Sequence, residues 1–133
     1  MNSLKGKITS IEVSGKMSLV SVSVGQLNFK SIVIETPESA NYLVEGGDIL
    51  VLFKETEVII GVGQNMQISL RNKMPGKITG LEIGDLLARL TISTSEGNIV
   101  SLITANAVRS LALKEGSAVT AMVKTNEILL SAC

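Results

Sequence analysis

The sequence contains the same unit twice, and this repeat limits the fold to one built from two similar halves. When the chain is shifted by 70 positions against itself, the run Gly-Lys-Ile-Thr recurs, at residues 6–9 and at 76–79. Further identities at this spacing are Asn2 with Asn72, Glu12 with Glu82, Glu45-Gly46 with Glu115-Gly116, Lys54 with Lys124 and Glu57 with Glu127. A duplication explains such self-similarity better than chance. We therefore take residues 1–64 as the first repeat and residues 65–133 as the second.

Within each repeat the apolar residues recur mostly at every second position, which is typical of β-strands with one buried face. The stretches "KGKITSIEV" and "LVSVSV" alternate in this way, and each repeat has five such stretches. Turn-forming pairs such as Ser14-Gly15 and Gly46-Gly47 separate them. Because a closed barrel leaves no free strand edge, we expect each repeat to close its own five strands into a small barrel.

Each repeat also has one segment with helix-forming signals, between its third and fourth strands. In the first repeat Thr36 suits an N-cap and Pro37 suits the first helical position. In the second repeat Thr104 precedes an alanine-containing segment. The predicted fold is therefore mainly β, with two tandem five-stranded barrels that each carry one short helix.

Four repeated glycines are interpreted as turn or bulge residues with unusual backbone angles. They are Gly6, Gly76, Gly46 and Gly116. The lysines that follow the first two alternate with apolar residues, so we expect them on the solvated face of a strand.

The composition narrows the possible functions. Twelve basic and twelve acidic side chains cancel, so no overall positive field attracts nucleic acid or an anionic membrane. With no His and only Cys133, the chain lacks the ligands of zinc, copper and iron sites, and it has no internal disulfide. Without a His base or a visible pair of nucleophile and base, an enzyme is not expected. No membrane span or signal peptide is indicated, so we expect a soluble, cytoplasmic protein.

The polar residues at special positions supply hydrogen-bond donors and positive charge. Strand alternation puts Ser69 and Arg71 on one face, where a hydroxyl and a guanidinium can donate to one guest. Thr104 and Thr36 precede predicted helix starts, where backbone N–H groups favour an oxyanion. Simpler roles are also open: an edge-strand tie for Ser69 and Arg71, and helix caps for the threonines. Together such groups suit a tetrahedral dianion, which accepts hydrogen bonds on all sides and offers none.

Several motifs in the second half occur in the order found in one known family. The run Ser69-Leu70-Arg71-Asn72 and its surroundings resemble the Mop (TOBE-type) molybdate-binding domain, which usually opens with Ser-Ala-Arg-Asn. Further matching features are Ile103-Thr104 before a short Ala-rich helix, the turn from Leu113 to Gly116, and Met122-Val123-Lys124 before an apolar strand. The first half, from Asn2 to about Val62, matches more weakly. The whole chain is therefore similar to a tandem, or di-Mop, protein.

The resemblance implies an OB-like barrel in each repeat and the binding of molybdate or tungstate without chemistry, for intracellular storage or homeostasis. In this family the oxyanions lie at interfaces between Mop units, so the resemblance also implies self-association, as a homotrimer or alternatively a dimer. The implied oxyanion-binding residues are Ser69, Arg71 and Asn72 from one unit with Thr104, Ala105 and Lys124 from a neighbouring one, and Thr36, Ser39 and Lys54 in the first half. Because Met1 directly precedes Asn2, the first copy has no Ser or Arg at the matching positions. We therefore expect fewer or unequal sites than in a symmetric di-Mop protein.

Other functions fit parts of the same pattern. The chain could be the effector-sensing module of a molybdate-responsive regulator or of a transporter, as a fragment that lacks the helix-turn-helix or Walker loop. OB-like barrels also bind single-stranded nucleic acid, but zero net charge and only three aromatic residues disfavour this function. A purely structural oligomerising module would leave Arg71 and Lys124 facing solvent.

Overall fold

The computed structural model describes all of residues 1–133, and most of them lie in β-strands. The first repeat contains β1 (Asn2–Ser14), β2 (Met17–Val24), β3 (Leu27–Val33), β4 (Asp48–Phe53) and β5 (Ile59–Gly61). The second contains β6 (Asn72–Ile83), β7 (Leu87–Thr94), β8 (Gly97–Thr104), helix α1 (Ala105–Ser110), β9 (Ala118–Val123) and β10 (Leu129–Ala132). A short 3₁₀ turn follows β4 at Glu55–Glu57, and another follows β9 at Thr125–Glu127. The predicted mainly β architecture of two tandem, OB-like barrels is confirmed.

The alternation in sequence becomes an alternation in burial. In β1 the residues Asn2, Leu4, Gly6 and Ile8 are buried, while those between them face solvent. Twenty-five buried apolar residues from both repeats form one hydrophobic cluster. Because this cluster is continuous, burial of apolar surface stabilises the two repeats together rather than one at a time.

The two sheets exchange their fifth strands. The first sheet has the order β10-β4-β1-β2-β3, and the second has the order β5-β9-β6-β7-β8. Residues 129–132 of β10 pair antiparallel with β4, and residues 59–61 of β5 pair antiparallel with β9. The expectation that each repeat closes its own five strands is therefore wrong for the fifth strand. The ranges 1–64 and 65–133 remain our proposal for the extent of the two sequence repeats.

Two buried serines explain the direction of the exchanged strands. The hydroxyl of Ser31 on β3 donates to the carbonyl of Ile128, at 2.8 Å, and the hydroxyl of Ser101 on β8 donates to the carbonyl of Val58, at 3.0 Å. Each bond fixes the residue just before a fifth strand to the opposite repeat. The following strand therefore starts beside the sheet of the other repeat.

The two predicted helices differ. Thr104 caps α1 by accepting from the Ala107 N–H group, at 3.0 Å, as expected. The segment after Thr36 forms turns and no α-helix, so that part of the prediction is wrong. There the hydroxyl of Ser39 accepts from the Thr36 N–H group and lies 3.2 Å from the Thr36 carbonyl oxygen, and such local bonds compete with helix formation. No helix of the structure is both long and apolar enough to cross a bilayer.

The repeated glycines fall into two kinds. Gly46 and Gly116 have φ angles of 82° and 91°, which agrees with the predicted turns. Gly6 and Gly76 instead lie inside strands, and the register irregularities come after them, between Ile8 and Ser10 and between Ile78 and Gly80. An added Cβ would lie 2.5 Å from the Ser23 carbonyl oxygen at Gly6 and 2.4 Å from that of Ser93 at Gly76. These two glycines are therefore required by close approach of the neighbouring strand.

We expect Gly76→Ala to lower the free energy of unfolding by about 1 to 3 kcal/mol, the usual range for overpacking a closely packed interior. The added methyl group would meet backbone, which cannot move aside as a flexible side chain can. Urea denaturation measures the loss. Gly80→Ala is the control on the same strand, because its Cβ would meet only the Thr91 side chain, at 3.3 Å. Equal losses in the two variants would contradict this reading.

Candidate functional site

A cluster of polar and cationic side chains lies where β6 begins and β9 ends. Asn72 and Val123 form the outermost pair of these strands, and Arg71 and Lys124 are the next residues outward. Ser69 and Arg71 are exposed while Leu70 and Asn72 are buried, so the alternation of β6 continues into the residues just before it, and Lys73 is on the outer face of the strand. We call this group the Lys124 cluster; it consists of Ser69, Arg71, Lys73, Lys124 and Thr125.

The cations of the Lys124 cluster have no carboxylate partner. The ion pairs of the structure join the Met1 amino group to Glu55, at 3.2 Å, and Lys7 to Asp48, at 2.7 Å. Arg71 instead donates from Nε to the Ser69 carbonyl, at 3.1 Å, and from one terminal nitrogen to the Ile68 carbonyl. A guanidinium has five N–H groups, so three remain for a guest.

An open cleft of about 440 Å³ adjoins this cluster. Of the cluster, Arg71 and Lys73 line this cleft, together with polar side chains. These are Gln26, Asn28 and Ser95, beside Leu27 and Pro75. Lys73 was not among the predicted site residues, although the alternation that placed Ser69 and Arg71 on one face also places Lys73 there.

Asn72 has a structural role in this structure. Its Oδ1 accepts from the Lys30 N–H group, at 2.6 Å, and its Nδ2 donates to the Lys30 carbonyl, at 2.9 Å. Asn2 makes the equivalent pair of bonds with the backbone of Val100, at 2.8 and 2.9 Å. Each asparagine thus joins the first strand of its own repeat to the third strand of the other repeat. In the sequence, this shared role is indicated by the presence of asparagine at both positions, 70 residues apart.

The donors predicted near α1 lie at the other end of the barrel. Thr104 pairs with Leu87, the first residue of β7. That end of β7 lies next to Ile83, the last residue of β6. The N–H group of Ala105 donates to the Leu86 carbonyl, at 2.8 Å, so it is already occupied. The Thr104 oxygen accepts from Ala107, which leaves its own O–H free to donate.

The first-repeat candidates are divided in the same way. Lys54 follows β4, beside the start of β1, and its side chain is exposed. Thr36 and Ser39 lie in the turns after β3 and hydrogen-bond to each other. The structure thus brings Arg71 and Lys124 to the same end of β6 within one chain. It keeps Thr104 and Ala105 at the opposite end.

The titratable groups with shifted pKa values lie outside the Lys124 cluster. Burial, together with a hydrogen bond to Glu35, raises the pKa of Tyr42 to about 12. The hydrogen bond between Lys7 and Asp48 raises the pKa of the lysine and lowers that of the aspartate. The Lys7–Asp48 pair lies at the surface, so its stabilising effect is small.

Comparisons of sequence place the chain among molybdenum-related proteins. The sequence profile described as the TOBE domain matches residues 68–130. Molybdenum-pterin-binding protein 1 of Clostridium pasteurianum is 37% identical over 68 residues, which cover 50% of this chain and 100% of that protein. The molybdenum transport protein ModE of Azotobacter vinelandii is 24% identical over 132 residues, which cover 98% of this chain and 49% of that protein. The chain thus spans about half the length of ModE.

A comparison of structures covers nearly the whole chain. The cytoplasmic molybdate-binding protein ModG, in a form with molybdate bound, superposes with a TM-score of 0.90 at 25% identity. The match covers 99% of this chain and 96% of ModG. Because the match covers nearly all of both chains, this chain and ModG have both repeats in a similar arrangement.

Proposed function

We propose, from the premise that this chain belongs to the Mop family of TOBE-domain proteins, that it binds molybdate or tungstate as intact oxyanions. The proposed role is storage and homeostasis in the cytoplasm, without catalysis. Its relatives are named for molybdenum-pterin and molybdate binding, and ModG is described as cytoplasmic. No step of covalent chemistry is needed for this role.

The observation that carries the proposal is the unpaired positive charge of the Lys124 cluster. Arg71 and Lys124 lie at the same end of β6 and β9, and neither forms an ion pair. A doubly charged oxyanion with four acceptor oxygens would bring both cations a counter-charge and take up the free guanidinium N–H groups. The hydroxyl of Ser69 would add a neutral donor from the same face.

We propose further that the complete site forms between copies of the chain. The donors of the Lys124 cluster and the hydroxyl of Thr104 lie at opposite ends of β6, so one site cannot use both groups from one repeat. If the Lys124 cluster of one copy packs against the Thr104 end of another copy, the two groups of donors meet in one site. A closed homotrimer is our preferred assembly and a dimer the alternative, because such contacts between unlike surfaces close into rings.

Selection between oxyanions would depend on the size of the closed site. Charge-assisted hydrogen bonds have a donor–acceptor distance of roughly 2.8 Å, and several fixed donors cannot all shorten around a smaller guest. Molybdate and tungstate are larger than sulfate. We therefore expect sulfate to bind more weakly at the same donors.

Titration calorimetry with molybdate, tungstate, sulfate and phosphate tests the proposed function. We expect heat and thermal stabilisation with the first two anions, and at least tenfold weaker binding, about 1.4 kcal/mol, in Arg71→Ala. Lys77→Ala is the control, because it removes an exposed cation from the middle of β6, away from both ends that the proposed site would join. No heat with either metal oxyanion would refute the function, whereas unchanged affinity in Arg71→Ala would place the site elsewhere.

A further inference from the structure

The end of the first repeat that corresponds to the Lys124 cluster has nearly the same backbone. Lys54 has φ −71° and ψ 144°, and Lys124 has φ −67° and ψ 149°. Each lysine precedes a 3₁₀ turn of three residues, and the two turns have the same pattern of burial along their length. At this lysine and its turn, the two ends therefore differ in their side chains and not in their backbone.

The side chains differ in charge at the first residue of that turn. Glu55 stands in the first repeat where Thr125 stands in the second, and both are half-buried. The other outward position differs too, since Ser3 corresponds to Lys73. The Lys54 end therefore has one more carboxylate than the Lys124 end, and it has the Met1 amino group but neither a guanidinium nor a second lysine.

The Glu55 carboxylate also reaches the position that corresponds to Arg71. Its Oε1 forms an ion pair with the amino group of Met1, at 3.2 Å, and Met1 is the residue equivalent to Arg71 under the 70-residue shift. A carboxylate there would stand beside any anion held by Lys54. An ionised carboxylate only accepts hydrogen bonds and repels a dianion, whereas the threonine hydroxyl of Thr125 can donate.

We infer that the residue after the repeated lysine decides which end of the chain holds a dianion. Glu55 excludes the anion from the Lys54 end, and Thr125 admits it at the Lys124 end. This inference rests on the proposed function, and it assigns to Glu55 and Thr125 a selective role that is separate from the cations themselves. The unequal sites of the two repeats then have a second cause, besides the missing Ser and Arg of the first copy, in the side chain that follows the lysine.

Calorimetry on the full-length chain with sodium molybdate tests the inference through two reciprocal variants. Thr125→Glu is expected to weaken the tight binding at least tenfold, because it copies the Lys-Glu pair of the first repeat. Glu55→Thr is expected to increase the number of anions bound per chain, as measured also by equilibrium dialysis. Both variants should fold, since each residue is already present at the matching turn of the other repeat.

Glu57→Thr is the matched control. It removes a carboxylate from the same turn as Glu55, but at a position where the second repeat also has a glutamate, Glu127. We expect it to leave both affinity and stoichiometry unchanged. If Glu55→Thr and Glu57→Thr increase the number of bound anions equally, the effect comes from net charge and the inference is overturned. An unchanged affinity in Thr125→Glu would also overturn it. Binding by the wild type with no change in the variants would overturn the inference alone, whereas no binding of molybdate or tungstate by the wild type would refute the proposed function and the inference together.

Discussion

Replacement of Asn72 by alanine is expected to lower the free energy of unfolding by roughly 2 to 4 kcal/mol. The change removes two hydrogen bonds and leaves the Lys30 N–H and carbonyl groups without these partners, at a cost of about 1 to 3 kcal/mol for each group that stays buried. The asparagine is completely buried, so the variant also leaves a small cavity. Urea denaturation followed by circular dichroism measures the loss.

Asn41→Ala is the control for this experiment, because Asn41 is exposed in a turn and its side chain forms no hydrogen bond. Surface substitutions of this kind change stability by about 0.5 kcal/mol or less. Asn2→Ala should behave like Asn72→Ala, since Asn2 makes the equivalent bonds to Val100. If Asn72→Ala proved as stable as Asn41→Ala, the asparagine pairs would not hold the repeats together.

Asn72 also marks the limit of what the sequence predicts about the site. The family resemblance implied that Asn72 is a ligand for the oxyanion, and the identity of Asn2 and Asn72 served only as a sign of the duplication. The structure shows both of its polar atoms bonded to the backbone of the other repeat. Pairings between residues so far apart in the chain cannot be read from local pattern, because alternation fixes which face a residue occupies and not what lies opposite.

The same limit explains the exchanged fifth strands. Two-residue periodicity correctly predicted the strands and the mainly β fold, because one face of each strand is buried in the shared core. The short apolar runs that form β5 and β10 would fit beside either β4 or β9. Their choice depends on the bonds from Ser31 and Ser101 to the opposite repeat, which are visible only in three dimensions.

The double replacement of Arg71 and Lys124 by alanine is expected to weaken molybdate binding at least a hundredfold, about 2.8 kcal/mol. Each residue offers charge-assisted hydrogen bonds, and each such bond contributes about 1.5 to 3 kcal/mol. Both changes lie on the exposed face at the ends of β6 and β9, so we expect little loss of stability. Calorimetry gives the affinity, and thermal unfolding without the anion checks that the variant is folded.

Assemblies that mix two variants of the chain test whether the site lies between copies. Thr104→Val removes the hydroxyl from the opposite end of the barrel and keeps the cations, so on its own it should also bind weakly. When the two variants are unfolded, mixed in equal amounts and refolded together, about one quarter of the interfaces should join an intact Lys124 cluster to an intact Thr104, as expected for random assembly of a symmetric oligomer. Tight sites should reappear in that proportion. If each variant alone binds weakly and mixing restores no tight sites, the site does not join the two ends of different copies. If Thr104→Val alone binds as tightly as the wild type, the Thr104 end has no part in binding the anion.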